Sequence, residues 1–227
     1  MRAALFDLDE TLLDRSGSLR DFVTWQAEGM LRSSVSNTTL FIDRFISLDQ
    51  KGAVWKDRVY QSLIDEFGIT GWTVDELVKS YVQTFCAFCK PRTGAVAAIN
   101  EFRKQGFRIG LVSNGKTPFQ EKNFRALGLS SLFDTIIVSE AVGIRKPEKA
   151  IFELACRRVG ADINTSVFIG DNPVADIQGA SDAGMTTVFV PVESPHQPCE
   201  YADYTYDDLS QLIGFVEREL SDDMVYL

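Results

Sequence analysis

Residues 3–11 read AALFDLDET, so an apolar run at residues 3–6 passes directly into a packet of acids. A short apolar run of this kind is typical of a strand that is buried on both faces of a parallel sheet. Asp7 and Asp9 follow it one residue apart. Carboxylates so close together oppose each other unless a cation, a shared proton or solvent relieves them. The stretch therefore predicts a buried strand that delivers two carboxylates to one edge of a sheet.

The sequence from residue 95 onward alternates between helical and strand patterns. Segments with apolar residues at helical spacing separate four apolar runs, which predict strands within residues 107–115, 133–140, 165–171 and 185–190. Strands that alternate with helices of about 10–15 residues indicate a parallel sheet with right-handed crossovers. The predicted fold class is therefore α/β, with a Rossmann-like core of three layers.

Residues 15–90 show a different pattern, with apolar residues at helical spacing throughout. Four segments, at residues 19–31, 38–50, 53–68 and 73–88, predict about four helices. Thr73 followed by Glu76 has the spacing of a capping box at the start of the last one. We therefore expect a catalytic core at residues 1–14 and 91–227, interrupted after its first strand by an all-helical insert at residues 15–90.

Composition limits the classes of partner. The 227 residues are 45% hydrophobic and carry a formal net charge of -9, which is ordinary for a globular protein but argues against a nucleic-acid polymer as partner. The N-terminus has no basic segment followed by an apolar signal region, and no apolar stretch approaches the roughly 18–20 residues that span a bilayer. We expect a cytoplasmic protein without a membrane partner. The oligomeric state is not predicted.

The cysteines and the single histidine do not indicate a metal or nucleophile site of their own. Cys86 and Cys89 form a CxxC pair inside a helical pattern, and a zinc site would need two more ligands. We therefore expect them to pack against neighbouring side chains. His196 lies in a proline-flanked loop, and no Gly-x-Ser-x-Gly turn accompanies it, so we expect a surface residue. Residues 221–227 are expected to form a loosely packed tail.

Polar groups follow each of the first four predicted core strands. Ligands bind beyond the carboxyl ends of the strands in an open parallel sheet, so these groups should meet in one site. Several carboxylates suit Mg2+, which takes a few such ligands and accepts a phosphate oxygen, while a lysine and a hydroxyl suit the phosphate itself. A carboxylate can attack phosphorus, and a second carboxyl group can exchange a proton with the leaving oxygen. The residues are Asp7, Asp9, Thr11, Ser113, Asn114, Gly115, Lys146, Asp171 and Asp176.

Four sequence segments that contain these residues resemble the motifs of the haloacid dehalogenase-like (HAD) hydrolase superfamily. They are DLDETL at residues 7–12, SNG at residues 113–115, Lys146-Pro147, and GDNPVAD at residues 170–176. Any one motif is weak, but the four occur in the family's order, each after its expected strand. The helical insert resembles the family's type-1 cap, and the likeness is to its phosphatase branch, which includes phosphoglycolate phosphatases and 5′-nucleotidases.

The resemblance implies a role for each matching residue in the reaction. Asp7 is expected to be the nucleophile and a metal ligand. Asp9 is expected to be the general acid and base, and to touch the metal through its backbone carbonyl. Ser113, Asn114 and Lys146 match the positions that bind the substrate phosphate, and Lys146 also steadies the nucleophile.

The remaining matches imply metal-binding and supporting roles. Asp171 is expected to be an acidic metal ligand. Asp176 matches the second acid of its motif, which either ligates through water or orients Lys146. Asn172 stands where an acid directly after Asp171 would be expected, which leaves the metal shell beyond Asp7 and Asp171 open. Thr11 is expected to support the loop from Asp7 to Asp9, and Gly115 to shape the adjacent pocket.

The sequence thus predicts a Mg2+-dependent phosphatase that hydrolyses a small phosphomonoester through an aspartyl-phosphate. Asp9 favours phosphoryl chemistry because the family's carbon dehalogenases lack an acid at that position. A phosphomutase of the same superfamily stays open, and so does a non-enzymatic phospho-acceptor or regulatory module. The partner should be a small phosphorylated metabolite: phosphoglycolate, a sugar phosphate, a nucleoside monophosphate or a phosphorylated cofactor.

The helical insert is expected to select the substrate and to gate water and product release. Its candidate contact residues are Arg44, Lys51, Trp55 and Lys56. The alternative interpretation is that Trp55 packs inside the insert while the charged side chains face water.

Overall fold

The computed structural model describes residues 1–192 and 198–219; His196 and residues 221–227 lie outside them. Among the described residues, six parallel strands form one sheet in the order β3-β2-β1-β4-β5-β6. This confirms the predicted α/β fold class. The strands are β1 (Ala3–Phe6), β2 (Arg108–Ser113), β3 (Thr135–Val138), β4 (Val167–Gly170), β5 (Thr186–Phe189) and β6 (Tyr204–Thr205).

Helices precede, connect and follow the strands. In chain order they are α1 (Arg15–Glu28), α2 (Thr38–Asp49), α3 (Lys56–Phe67), α4 (Val74–Thr84), α5 (Ala95–Lys104), α6 (Phe119–Ala126), α7 (Ser139–Val142), α8 (Lys149–Val159), α9 (Gly179–Ala183) and α10 (Leu212–Glu219). A π-helical turn at Pro173–Gln178 leads into α9. Within residues 1–192 and 198–219, none of the helices combines the length and the apolar character needed to cross a membrane.

Strand β1 lies in the middle of the sheet, between β2 and β4. All four of its residues are fully buried, as the apolar run predicted. Leu5 pairs in register with Gly110 of β2, where an added Cβ would lie 2.6 Å from Leu5 Cδ2. The close contact explains why a glycine interrupts the apolar pattern of β2. Because β1 is a central strand, Asp7 lies near the middle of the row formed by the carboxyl ends of the strands.

One apolar cluster fixes the helices against the sheet. Leu5, Val112 and Phe168 contribute from three adjacent strands, and Phe152 contributes from α8. The rings of Phe152 and Phe168 meet edge to face with centroids 5.0 Å apart, which adds to the stabilisation from burial alone. This packing holds α8 against the strands whose carboxyl ends carry the candidate site.

The chain divides into two compact units, one made of Met1–Asp14 with Pro91–Leu227 and the other of Arg15–Lys90. The second unit contains α1 to α4, and the predicted capping box begins α4. The Thr73 hydroxyl accepts from Glu76 N at 3.3 Å, and the Glu76 carboxylate accepts from Thr73 N at 2.9 Å. These contacts satisfy backbone donors that the first helical turn would leave unpaired.

Two local features of the structure were not predicted. Strand β6 is one, because a pair of residues is too short to show an alternating pattern. The other is the cis peptide bond between Lys146 and Pro147, which precedes α8; that helix begins at Lys149 after the N-cap Glu148.

Candidate active site

The carboxyl ends of β1, β2 and β4 bring the sequence-predicted residues to one edge of the sheet. Asp7 directly follows β1, and its backbone N–H donates to Ile169 O of β4 at 3.0 Å. Ser113 is the last residue of β2, and Asp171 directly follows β4. Asp7 and Ser113 are buried, with 7% and 1% exposure. Parallel pairing therefore gathers residues that lie more than a hundred positions apart in sequence.

Lys146 lies between two carboxylates. Its Nζ is 2.5 Å from Asp7 Oδ1 and 2.6 Å from Asp176 Oδ1, and all three side chains are buried. Burial alone would lower the pKa of Lys146, but the charges of Asp176 and Asp7 outweigh burial and raise it. Lys146 is therefore a fixed cation beside Asp7.

The acids outnumber this cation. Carboxylate oxygens of Asp7, Asp171 and Asp176 all lie within 4.8 Å of one another. Burial, opposed by Lys146 and reinforced by Asp176, raises the pKa of Asp7 to about 7. Burial together with the charges of Asp7 and Asp176 raises the pKa of Asp171 to about 9. A cluster of carboxylate oxygens that carries more negative charge than one lysine can balance suits a hard divalent cation, which binds oxygen ligands. Across residues 1–192 and 198–219 it is the one such group, so neither Cys86 nor Cys89 belongs to one.

The side chains of Asn172 and Asp176, which follow Asp171 in the chain, make different contacts. The Asn172 side-chain oxygen caps the π-helical turn, accepting from Val174 N at 3.1 Å and Ala175 N at 2.9 Å. Asp176 Oδ2 accepts from Asn172 N at 3.0 Å, while its Oδ1 faces Lys146. The contact with Lys146 fits a role in orienting that side chain, while the position of Asp176 beside Asp7 and Asp171 keeps a metal-binding role open. Gly170 leaves room for it, since a Cβ there would lie 2.4 Å from Asp176 Oδ2.

Asn114 contacts Lys146 rather than an open pocket. Its Nδ2 donates to Lys146 O, and its Oδ1 accepts from Lys146 N, both at 2.9 Å. These two bonds hold the Lys146 backbone in place. The side chain was predicted to bind phosphate; its Nδ2 has a second hydrogen besides the one donated to Lys146 O, and the phosphate contact stays a prediction.

The loop after Asp9 is braced from two directions. Thr11 Oγ1 donates to Asp171 Oδ1 at 3.5 Å, which links the first and last acidic segments. Glu10 adopts a positive φ of 59°. The Arg92 guanidinium donates to the Glu10 carbonyl, and Arg92 N donates to Leu12 O at 2.8 Å. Sequence reasoning missed Arg92, because nothing in its local pattern distinguishes it from other surface arginines.

Gln120 is the other residue that the sequence did not reveal. It lies in α6, is 3% exposed, and its Nε2 is 2.7 Å from Asp9 Oδ2 and 3.1 Å from Ser113 Oγ. One amide nitrogen thus connects the residues predicted to be the acid and base and the phosphate-binding hydroxyl.

A family model agrees with this arrangement of motifs. The model for haloacid dehalogenase-like hydrolases matches residues 1–184. The chain belongs to this family. The matched residues include the carboxylates, the hydroxyl and the lysine described above, which form the candidate site.

Curated relatives of this HAD-like hydrolase are phosphatases. A glyceraldehyde 3-phosphate phosphatase from Methanopyrus kandleri is 28% identical over 98% of this chain and 100% of its own length. The pyrimidine 5′-nucleotidase YjjG from Escherichia coli is 29% identical over 85% of this chain and 87% of its own.

A solved structure supports the fold assignment as well. The HAD-hydrolase YfnB from Bacillus subtilis, bound to magnesium, is 25% identical, with a TM-score of 0.77 over 95% of this chain and 98% of that one. The described chain thus has the architecture of an HAD-like hydrolase over nearly all of its length.

The charged candidates in the helical unit of this HAD-like hydrolase are partly engaged within that unit. Arg44 makes two hydrogen bonds of 2.6 Å to Glu66, on the surface. Lys56 is buried, pairs with Asp49 and lies 4.8 Å from the ring centroid of Tyr81. Its burial contradicts the alternative that the charged side chains all face water. In both residues the charge is paired with a neighbouring carboxylate, and their expected role in substrate selection stays a prediction. The Trp55 ring packs 6.3 Å from that of Tyr81, while Lys51 is exposed.

Proposed function

We propose that this HAD-like hydrolase is a Mg2+-dependent phosphatase that hydrolyses a small phosphomonoester through an aspartyl-phosphate on Asp7. The observation that carries the proposal is the pairing of buried Asp7 with Lys146 at 2.5 Å, beside a second acidic group at Asp171. A cation beside one oxygen favours the ionised form of a buried carboxylate, and an ionised carboxylate is the form that attacks phosphorus.

In the first step an Asp7 carboxylate oxygen forms a bond to phosphorus. The bond between phosphorus and the leaving oxygen breaks, its electron pair stays on that oxygen, and Asp9 supplies a proton. Lys146 and the Ser113 hydroxyl bind the phosphate oxygens that face them. Asp7 and Asp171 would hold Mg2+, which supplies positive charge that stabilises the transferring phosphoryl group.

The second step regenerates the enzyme. A water molecule attacks phosphorus and gives a proton to Asp9, and the bond between phosphorus and Asp7 breaks. Inorganic phosphate leaves, and the Asp7 carboxylate is restored to its ionised form. Asp9 thus returns to the protonated state with which it began, so that the cycle balances.

The substrate class follows from chemistry and from the relatives. Because the relatives are named for a triose phosphate and for pyrimidine nucleotides, we infer a small phosphorylated metabolite rather than a polymer. A screen of phosphorylated metabolites for phosphate release would identify it. A cytoplasmic location, expected from the sequence, stays a prediction.

Replacement of the nucleophile tests the proposal. Asp7→Asn removes the attacking oxygen's charge, so we expect phosphate release from an aryl phosphate to fall by at least about a thousandfold. EDTA should abolish release by the wild-type protein, and added Mg2+ should restore it.

Asp182→Asn is the matched control, since it makes the same substitution at an exposed position of α9. Its activity should equal that of the wild type. Full turnover by Asp7→Asn would overturn the mechanism. Transfer of phosphate within the substrate without release would indicate a phosphomutase, and a lasting phosphoenzyme without turnover would indicate a phospho-acceptor.

A further inference from the structure

Gln120 uses both polar atoms of its side-chain amide in hydrogen bonds inside the site. The amide nitrogen has two hydrogens, and its two acceptors are Asp9 Oδ2 at 2.7 Å and Ser113 Oγ at 3.1 Å. The amide oxygen accepts from Asn123 Nδ2, one turn further along α6, at 3.3 Å. The side chain is buried, so each of these bonds forms away from water.

Two neighbours fix the direction in which this amide points. Asn123 donates to Oε1, and with Oε1 in that position Nε2 faces Asp9 and Ser113. Gly115 leaves the space that the side chain fills, since a Cβ there would lie 2.6 Å from Gln120 Cγ and 3.1 Å from its Nε2. The lack of a side chain at Gly115, the glycine of the second motif, therefore makes room for the Gln120 side chain.

We propose that Gln120 is a positioning residue that aligns Asp9 and Ser113 for phosphoryl transfer. This inference rests on the proposed phosphatase function. Because Nε2 donates to Asp9 Oδ2, that oxygen acts as the acceptor and Oδ1 is left as the atom that carries the proton. Because Ser113 Oγ accepts from the same nitrogen, the hydroxyl hydrogen of Ser113 is directed toward another acceptor, which the substrate phosphate would provide.

The proposal predicts a dependence on the leaving group that a purely structural role would not produce. In the first step the oxygen leaving phosphorus receives the bond's electron pair and takes its proton from Asp9 Oδ1. An alkoxide needs that proton, whereas dinitrophenolate is stable enough to leave without it. Misalignment of Asp9 should therefore slow transfer from ethyl phosphate far more than transfer from dinitrophenyl phosphate.

The test compares kcat/KM for these two probes in Gln120→Leu and in the wild type. The substitution keeps most of the side-chain volume and removes both donors. A hydrogen bond to an ionisable group contributes enough that we expect the ethyl-to-dinitrophenyl ratio to fall about tenfold to a hundredfold. Gln120→Glu, which replaces the donors by acceptors, should lower the ratio at least as far.

Gln105→Leu is the matched control. The Gln105 side chain donates to Glu101 at the end of α5, outside the site, so the ratio should stay at its wild-type value. Gly115→Ala is a second route to the same defect, since its new methyl group would displace the Gln120 side chain. The two lesions share one mechanism, so Gly115→Ala in the Gln120→Leu background should change the ratio little further.

The outcomes separate the inference from the proposed function. Equal loss with both probes would show that Gln120 only supports the fold and would overturn the inference, and so would an unchanged ratio. If Gln120→Leu fails to fold by circular dichroism, the ratio for Gly115→Ala decides in the same way. Retained phosphate release by Asp7→Asn would instead overturn the phosphatase mechanism itself.

Discussion

Single residues decide how Asp7 and Asp9, the two aspartates of DLDETL, coexist. Asp7 faces Lys146, while Asp9 accepts from Gln120. A cation stabilises the first carboxylate, and a neutral amide accommodates the second in either protonation state. Two acids that lie one residue apart in sequence thus have partners of different charge, which suits one to attack and the other to proton exchange.

Asp9→Asn tests this division of roles. The amide has the same shape but cannot take a proton from the hydrolytic water, so the phosphoenzyme should form from a good leaving group and then break down slowly. We expect a burst of dinitrophenolate, measured in a stopped-flow spectrometer, followed by a steady rate about 10²- to 10⁴-fold below that of the wild type. Unchanged steady turnover would remove Asp9 from the proton transfer.

Most of the residues that sequence could identify lie at the ends of strands or in the segments that follow them. Their position after an apolar run carried the prediction for Asp7, Asp9, Ser113 and Asp171. Gln120 and Arg92 could not be found in this way, because their roles arise from tertiary contacts with residues 111 and 82 positions away. Helical periodicity places Gln120 on α6 but says nothing about which strand it meets.

At the scale of elements, the turn after β4 shows how backbone and site are coupled. Gly170 ends the strand, and the Asp176 side chain passes against it on its way to Lys146. The π-helical turn that holds Asp176 is capped by Asn172. The sequence indicated a helix here but not its π-helical first turn, since both patterns place apolar residues at similar spacing.

Gly170→Ala tests this coupling. An added methyl group would overlap Asp176 Oδ2, so the turn must shift; we expect a loss of about 1–3 kcal/mol in unfolding free energy, measured by urea denaturation, and reduced kcat. Gly214→Ala is the control, because its nearest contact is 3.5 Å away, at the flexible end of Arg218. It should stabilise α10 by about 0.5–1 kcal/mol. Unaltered stability and kcat in Gly170→Ala would contradict the coupling.

At the scale of the whole molecule, the buried acids couple stability to pH and metal. The pKa values of Asp7 and Asp171 are raised to about 7 and about 9 by burial and by neighbouring carboxylates. A folded state that keeps protons which the unfolded chain has released loses stability as pH rises. Without metal, stability should therefore be highest in mild acid, fall once the pH exceeds the ordinary carboxyl pKa of the unfolded chain, and level off as the two folded groups ionise near pH 7 and pH 9.

The prediction is that the melting temperature of EDTA-treated protein falls between about pH 5 and pH 9, and that Mg2+ raises it most at the alkaline end. Asp171→Asn removes one buried charge, so it should stabilise the metal-free protein at alkaline pH by about 1–4 kcal/mol and reduce the Mg2+ effect. Differential scanning calorimetry provides the measurement, with Asp182→Asn as control. A melting temperature that rises with pH in EDTA would contradict the account.

The covalent intermediate on Asp7 is the central claim, and its direct test is to locate the phosphoryl group. The Asp9→Asn variant is allowed to react with dinitrophenyl phosphate and Mg2+, quenched in acid, and treated with borohydride, which reduces an acyl phosphate to an alcohol. The account predicts that peptide mass spectrometry finds this reduction at position 7. A reduced carboxyl group at another position, or none during a clear burst of dinitrophenolate, would contradict it.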